Sequence, residues 1–287
     1  MSDSTVSSRS LSSASSPLEE LPELRPFPAV ASRLMAACRD PSSDSKSLAQ
    51  IIQCDATIAL RLLQVANSSL YGFSREIDSV EHAVVILGFR AVKDLALSTA
   101  AAEVFSQGAG AAQQRQELWQ HSLGCATVAR LLSTGMADTN YEAGFLAGIV
   151  HDIGKLTLFD WKPDEYEALD RESDVERRMQ LECDTFGTTH TEIGARYGDE
   201  WGLPPDIVDA ICYHHSPSRC ENEPLVGITF LANVLAKAWG IGVARDVPAD
   251  ISDLIAMSGL PIDESFLTPL EKEAHAEFER LKRAFAT

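Results

Sequence analysis

FLAGIVHDIGKLTLFD (residues 145–160) runs from small apolar residues into an adjacent histidine and aspartate, His151 and Asp152, with Gly154 and Lys155 just behind. The apolar run reads as a helix that stops at the pair. An imidazole and a carboxylate at a helix end can hold a divalent metal, or they can cap the helix and hydrogen-bond to a neighbour. The residues that follow do not turn into a strand, because LTLF (156–159) is too short to count. No convincing period-2 alternation occurs anywhere else, so the fold class expected from this region outward is all-α.

On the N-terminal side, Leu48, Ile51 and Ile52 fall at helical spacing, and Ile58, Leu62, Leu63 and Val65 do the same after Asp55. A helix is expected to begin near Ala29. Asp78 and Ser79 are candidate N-caps for a later helix, and Gly88 divides the apolar pattern of 78–105 into two pieces. These segments predict about five helices. SQGAGAAQQRQ (106–116) then breaks the pattern with small and polar residues. It marks the expected boundary between an N-terminal helical subdomain over 18–106 and a second helical domain over 107–240. PPDIVDAICYHH (204–215) opens on prolines with an acid in the first turn, as the helix dipole favours. The remainder, 241–287, reads as a loop-rich segment with a terminal helix. Its stripe of Leu270, Ala274, Phe278, Leu281 and Phe285 is expected to pack back on the body.

The 287 residues carry a net charge of −18, which excludes a general nucleic-acid binder or an anionic-membrane binder, since either needs a basic face. No apolar run approaches the roughly 18 residues of a membrane span. The first 17 residues are serine-rich with no apolar h-region, so they predict a disordered tail and no secretory signal. The six cysteines, Cys38, Cys54, Cys125, Cys183, Cys212 and Cys220, form no C-x-x-C pair. They read as small buried hydrophobes in a reducing compartment, and the expected location is cytoplasmic.

Five of the seven histidines fall in the second helical series: His121, His151, His190, His214 and His215. Glu117 precedes His121 by four residues, so the two project from one helix face. Imidazoles and carboxylates converging from several helices are how helical proteins build sites for Fe, Mn, Zn or Mg. Such an ion would lower the pKa of a bound water at neutral pH, and Lys155, one turn after His151, could steady a phosphate. Each of these residues also has a plain reading. Glu117 suits a solvated helix charge, and the His214–His215 doublet suits a positive helix C-terminus. His82 and His275 are assigned no role beyond the surface or core.

The joint order of these motifs resembles the HD superfamily of metal-dependent phosphohydrolases. It is closest to the HDOD branch, a signalling-associated relative of the HD-GYP cyclic-di-GMP phosphodiesterases. LPELRPFP, CDATIALRLLQVANSSLYG and SVEHAVVILGFRAVKDLAL resemble the opening helical region of that family. LWQHSLGCATVA, EAGFLAGIVHDIGKL and FGTTHTEIGARYGDEWGLPPDIVDAICYHHSP resemble its HD-like core, and the likeness covers roughly 20–240. It implies an all-α fold. It also implies a metal-ligand set of Glu117, His121, His151, Asp152, His190, His214, His215 and Asn233. Asp152 would be the bridging and catalytic carboxylate, and Lys155 a phosphate-contacting residue.

Two departures from the family pattern are visible. Asn233, in TFLANVLAKAWG, stands where a last metal-binding aspartate is expected, and a neutral amide oxygen is a weaker ligand. HHSPSRCENEP replaces the GYP segment, so cyclic-di-GMP is not assigned as substrate. The resemblance therefore implies first a regulatory protein acting by protein interaction or ligand sensing with a retained metal site. Its partners would be signalling proteins, such as a kinase or a response-regulator pathway; no receiver domain is evident in this chain. The second implied function is a metal-dependent phosphohydrolase or phosphodiesterase acting on a nucleotide or cyclic nucleotide.

Overall fold

The computed structural model describes residues 26, 28–40, 43–67, 75–106, 112–134, 136, 141–220, 223–244 and 250–285. Among them are fifteen α-helices, one 3-10 turn at Pro217–Arg219 and no strand. The first five helices are α1 (Ala29–Arg39), α2 (Ser45–Gln53), α3 (Ala56–Ala66), α4 (Val80–Leu87) and α5 (Phe89–Ser106). Next come α6 (Ala112–Thr134), α7 (Tyr141–Val150), α8 (Lys155–Trp161), α9 (Pro163–Asp170) and α10 (Val175–Phe186). The last are α11 (His190–Trp201), α12 (Pro205–Tyr213), α13 (Pro224–Trp239), α14 (Ile251–Ser258) and α15 (Glu264–Phe285). The all-α expectation holds.

Local sequence sets most of these boundaries. Asp55 caps α3 by accepting from the amides of Thr57 and Ile58, and Ser79 caps α4 by accepting from His82. Gly88 adopts φ +87°, which a side chain would resist, and it separates α4 from α5. Thr189 and Glu192 form a capping box that starts α11 at His190.

α6 and α7 are the centre of the molecule. α6 is buried all round from His121 to Ser133, and α7 is buried from Ala143 to Val150, so neither has the polar face of a surface helix. They approach closely because Gly148 has no side chain: a Cβ there would stand 2.3 Å from the Ala126 Cα. α13 and α15 pack on α6, α5 packs on α7 and α3, and α12 lies against α11 and α13. One connected apolar cluster extends from Val30 on α1 to Phe285 on α15.

The expected 1–17 tail lies outside the described residues, as do residues 107–111 of the expected boundary. The 241–287 segment is more helical than its glycines and prolines suggest. Asp250 caps α14 through the Ser252 amide, and Gly259 ends it at φ +67°. α15 then starts well before Leu270 and buries Ala274, Phe278, Leu281 and Phe285 against the body.

The cysteines depart from their expected burial. Of those with described side chains, only Cys125 is buried; Cys54 and Cys183 are exposed, and Cys212 and Cys220 are intermediate. All five are free thiols. Cys54 sits at the C-cap of α2 and Cys183 on α10 beyond its buried stripe of Arg178, Glu182 and Phe186, so helical context did not guarantee burial. No single helix among the described residues is long and apolar enough to cross a membrane.

Candidate metal centre

His151–Gly154 form the turn between α7 and α8, held by bonds from the Ile153 amide to the Val150 carbonyl and from the Lys155 amide to the Asp152 carbonyl. His151 does part of a capping task, since its Nδ1 lies 2.9 Å from the Gly148 carbonyl oxygen at the end of α7. Asp152 caps nothing: α8 begins after Gly154 with no side-chain cap bond. Its carboxylate points instead into a buried ring of imidazoles.

Gly154 brings the second half of that ring into place. A Cβ on it would stand 2.0 Å from the His190 carbonyl oxygen and 2.7 Å from the Gly194 amide nitrogen. Only a glycine lets the start of α11 settle on the turn and deliver His190 to Asp152.

The two carboxylate oxygens of Asp152 divide the histidines between them. Oδ2 lies 3.5 Å from His121 Nε2, 3.3 Å from His151 Nε2 and 2.7 Å from Lys155 Nζ. Oδ1 lies 3.3 Å from His190 Nε2 and 3.5 Å from His214 Nε2. His215 Nε2 is 3.2 Å from His190 Nε2. His121, His151 and Asp152 thus make one candidate ligand group, and Asp152, His190, His214 and His215 make another. Asp152 belongs to both.

The residues present fit a metal. His151 and His214 each place Nδ1 on a backbone carbonyl, Gly148 and Ile211 respectively, and His190 places Nδ1 on the Glu182 carboxylate. In a neutral ring that bond fixes the proton on Nδ1 and turns the Nε2 lone pair toward Asp152. The contacts of 3.3–3.5 Å are long for hydrogen bonds, which cluster near 2.9 Å. They match the separation of about 3.4 Å between two atoms that share an ion through bonds of about 2.1 Å. His121 Nδ1 and Nε2, His151 Nε2, His214 Nε2 and Asp152 Oδ1 are buried with no hydrogen-bond partner. Buried polar atoms are rarely left so, and a cation would satisfy them together.

Charge and burial oppose each other throughout the cluster. Burial disfavours ionisation of Asp152, but Lys155 and His151 outweigh it and hold the carboxyl well below its usual range. Burial also disfavours charge on His151, and Asp152 overrides it, raising the ring to about 10. His214 goes the other way: burial pushes it down to about 3. His121 and His215 are lowered well below the ordinary histidine value, mainly by burial and then by the charges of Lys237 and His214 respectively.

Glu182 completes the cluster and has no signal in the sequence reading. It is fully buried on α10, and it accepts from the His190 backbone amide at 2.8 Å and from His190 Nδ1 at 2.7 Å. Tyr166 donates to its other oxygen at 3.3 Å. Burial would raise this carboxyl, but His190 lowers it. Carboxylate–histidine pairs of this kind orient a ligand ring and raise its basicity.

Of the two remaining residues of the predicted ligand set, Glu117 lies outside both groups. Glu117 is exposed, accepts a bond from Gln113 at 2.9 Å, and faces a cavity of about 210 Å³ that also reaches His121 and Lys155. Asn233 is buried on α13 with its Oδ1 unpartnered, and it lines a second cavity of about 580 Å³ together with His215. Both cavities are bounded by Asp170, Arg178, Lys237 and Val243. Arg178 and Lys237 also escaped sequence reading. Lys237 is lowered to about 8 by burial and then by the charges of Lys155 and Arg178.

Residues 24–217 match the HDOD domain, and the chain belongs to that family. An HDOD domain protein of unknown function from Geobacter sulfurreducens is 25% identical, with a TM-score of 0.75 over 92% of this chain and 95% of that one. A candidate phosphohydrolase from Shewanella amazonensis SB2B gives a TM-score of 0.76 at 22% identity, over 94% and 98%. A candidate signal transduction protein from Marinobacter aquaeolei VT8 gives 0.70 at 22%, over 93% and 60%. At 22% these last two establish the fold alone. An uncharacterised protein of Treponema pallidum (strain Nichols) is 23% identical over 223 residues, 76% of this chain, and the chain spans 42% of that protein's length.

Proposed function

We propose that this protein is an HDOD signalling module that binds divalent metal in the Asp152 cluster and reads a ligand presented to that centre. The observation that carries this reading is the set of buried, partnerless Nε2 atoms on His121, His151 and His214 around one shared carboxylate. Four buried imidazoles and a carboxylate, with half-buried His215 beside them, are expensive to hold together unless a cation or protons compensate them. A cation is the better match to the fixed Nδ1 bonds and to the spacing. His121, His151 and Asp152 Oδ2 would hold one ion, and His190, His214, His215 and Asp152 Oδ1 a second. The imidazole-rich groups favour a nitrogen-accepting ion such as Fe or Zn over Mg, and Asn233 offers the second group only a neutral oxygen where a carboxylate would bind harder.

Metal-dependent phosphohydrolysis is the second reading, and Lys155 favours it. The residue is buried, and its ammonium sits 2.7 Å from Asp152 on the wall of a cavity that His121 also lines. A bound ion there would activate a water as nucleophile. Asp152 would serve as a ligand common to both groups, Lys155 would neutralise a phosphoryl oxygen, and the walls of α6 and α10 would limit access of bulk water.

Metal analysis of the purified chain tests both readings. The expected result is more than one equivalent of a transition metal, with stabilisation on reloading a chelator-stripped sample. A chain that takes up none of Fe, Mn, Zn or Mg would sink both. Phosphatase and phosphodiesterase screens on wild type against Asp152→Ala then separate ligand reading from turnover.

A further inference from the structure

The wall shared by the two cavities holds an arrangement the metal cluster does not use. Arg178, on α10, is 7% exposed, and its Nε and Nη2 are buried with no hydrogen-bond partner. Its remaining nitrogen, Nη1, donates to the Glu172 carbonyl at 3.3 Å, which fixes the guanidinium without neutralising it. Lys237, on α13, borders the same two cavities and repels both Arg178 and Lys155. Among the described residues no carboxylate forms an ion pair with Arg178 or Lys237. The neighbouring acids form no ion pair with them: Asp170 and Glu176 are exposed at the rim, where water screens them, half-buried Glu172 accepts from the Asp174 amide at 3.0 Å, and Arg171 is taken up by Glu167.

A buried guanidinium without a charged partner, with the half-buried ammonium of Lys237 beside it, is costly unless an anion relieves the pair. In a chain of net charge −18, this concentration of positive charge beside the histidine cluster stands out further. The larger cavity adds a second property. Its volume of about 580 Å³ lies within the usual range for small-molecule sites, and Phe230, Val234, Leu254 and Met257 give it an apolar wall.

We propose that Arg178 and Lys237, with Lys155 beside them, bind the phosphate of a phosphate ester whose apolar part lies against Phe230, Val234 and Leu254. The guanidinium fork presents two free N–H directions to two phosphate oxygens, the geometry in which arginine outperforms lysine. Lys237 supplies a point charge from the opposite helix. The inference rests on the reading above only for placing the phosphate next to the histidines; the cations themselves are independent of any ion there.

The test is calorimetric titration of the full chain with two probes, inorganic phosphate and phenylphosphonate, the latter chosen because its P–C bond resists hydrolysis. Each titration is run metal-free and after manganese loading. Wild type is expected to bind phosphate, and phenylphosphonate at least about fivefold more tightly. Arg178→Gln and Lys237→Gln should each weaken phosphate at least about tenfold, the loss of a charge-assisted contact. Lys237→Arg should stay within threefold of wild type, as should Lys272→Gln on the exposed face of α15. Removing the half-buried charge at 237 is not expected to unfold the chain, so that variant keeps the test open if Arg178→Gln misfolds. Wild type that binds neither probe in either metal state overturns the proposal, as does unchanged affinity in the folded glutamine variants. Equal affinity for the two probes overturns the apolar subsite. A chain that takes no metal yet shows the phosphate effects refutes the metal reading and leaves this inference standing. Metal uptake without phosphate binding does the reverse.

Discussion

Glu182 Oε2 lies 2.7 Å from His190 Nδ1, and the same imidazole turns Nε2 to Asp152 Oδ1 at 3.3 Å. Glu182 therefore sets both the tautomer and the angle of a ring that belongs to the second ligand group. Replacing it with glutamine keeps the shape but allows the amide to present a donor where an acceptor is needed. Glu182→Gln is expected to lower metal affinity about 10- to 100-fold, measured by competition with a chromogenic chelator. Tyr166→Phe removes only the longer 3.3 Å bond to Glu182 and should change affinity less than about threefold. Equal affinities for wild type and Glu182→Gln would show that His190 is oriented by packing alone.

Asp152 joins the two histidine groups, whereas His121 belongs to one of them. Metal stoichiometry should distinguish the two residues. Asp152→Asn is expected to lose metal at both positions, and His121→Ala at one, by elemental analysis after equilibrium dialysis. Asp152→Asn also leaves the buried ammonium of Lys155 without its 2.7 Å partner. Breaking a buried pair in this way costs about 3–5 kcal/mol, so its denaturation midpoint should fall well below that of His121→Ala.

The turn glycine gives a steric prediction. The methyl of Gly154→Ala would meet the His190 carbonyl oxygen at 2.0 Å, a backbone atom that cannot rotate away. The helix start must shift, at a cost of about 1–3 kcal/mol or more. Gly148→Ala meets the α6 backbone at 2.3 Å and should be destabilising to a similar degree. The two variants should part on metal: Gly154→Ala displaces His190 directly and should weaken binding further at equal loss of stability.

Particular residues explain what the sequence made legible. Leu48 and Ile52 on α2, and Ile58, Leu62 and Val65 on α3, are buried at the expected helical spacing, because each helix has one apolar face to hide. Asp55, Ser79 and Gly88 act locally, so their signals survive without tertiary context. The histidines could be gathered because their order and neighbours resembled a family. Glu182, Arg178 and Lys237 had no such marker. On amphipathic helices they look like solvated charges, and only the packing of α10 and α13 toward the cluster buries Glu182 and Arg178 and half-buries Lys237. Helix α14 was hidden for a different reason: Gly240, Gly242, Gly259 and Pro261 dominate its surroundings, and its eight residues give too short a periodic signal.

Lys237 supplies a prediction in pH. Its folded pKa is lowered to about 8 from 10.5, chiefly by burial. Below pH 8 the native state carries a partly desolvated, repelled cation that the unfolded chain holds in water, and this is destabilising. Between pH 8 and 10.5 the native state releases the proton while the unfolded chain keeps it, so this residue makes stability rise with pH across that window. Lys237→Met removes the charge and keeps the length of the stem. It should raise Tm at pH 7 by at least about 3 °C, and its advantage should shrink steadily as pH approaches 10. The same substitution should lose phosphate affinity, since a residue that costs stability in the free protein is retained for what it binds. Thermal melts at pH 7, 8.5 and 10 check the first part, and a gap that stays constant across the three would show that Lys237 is solvated at all of them.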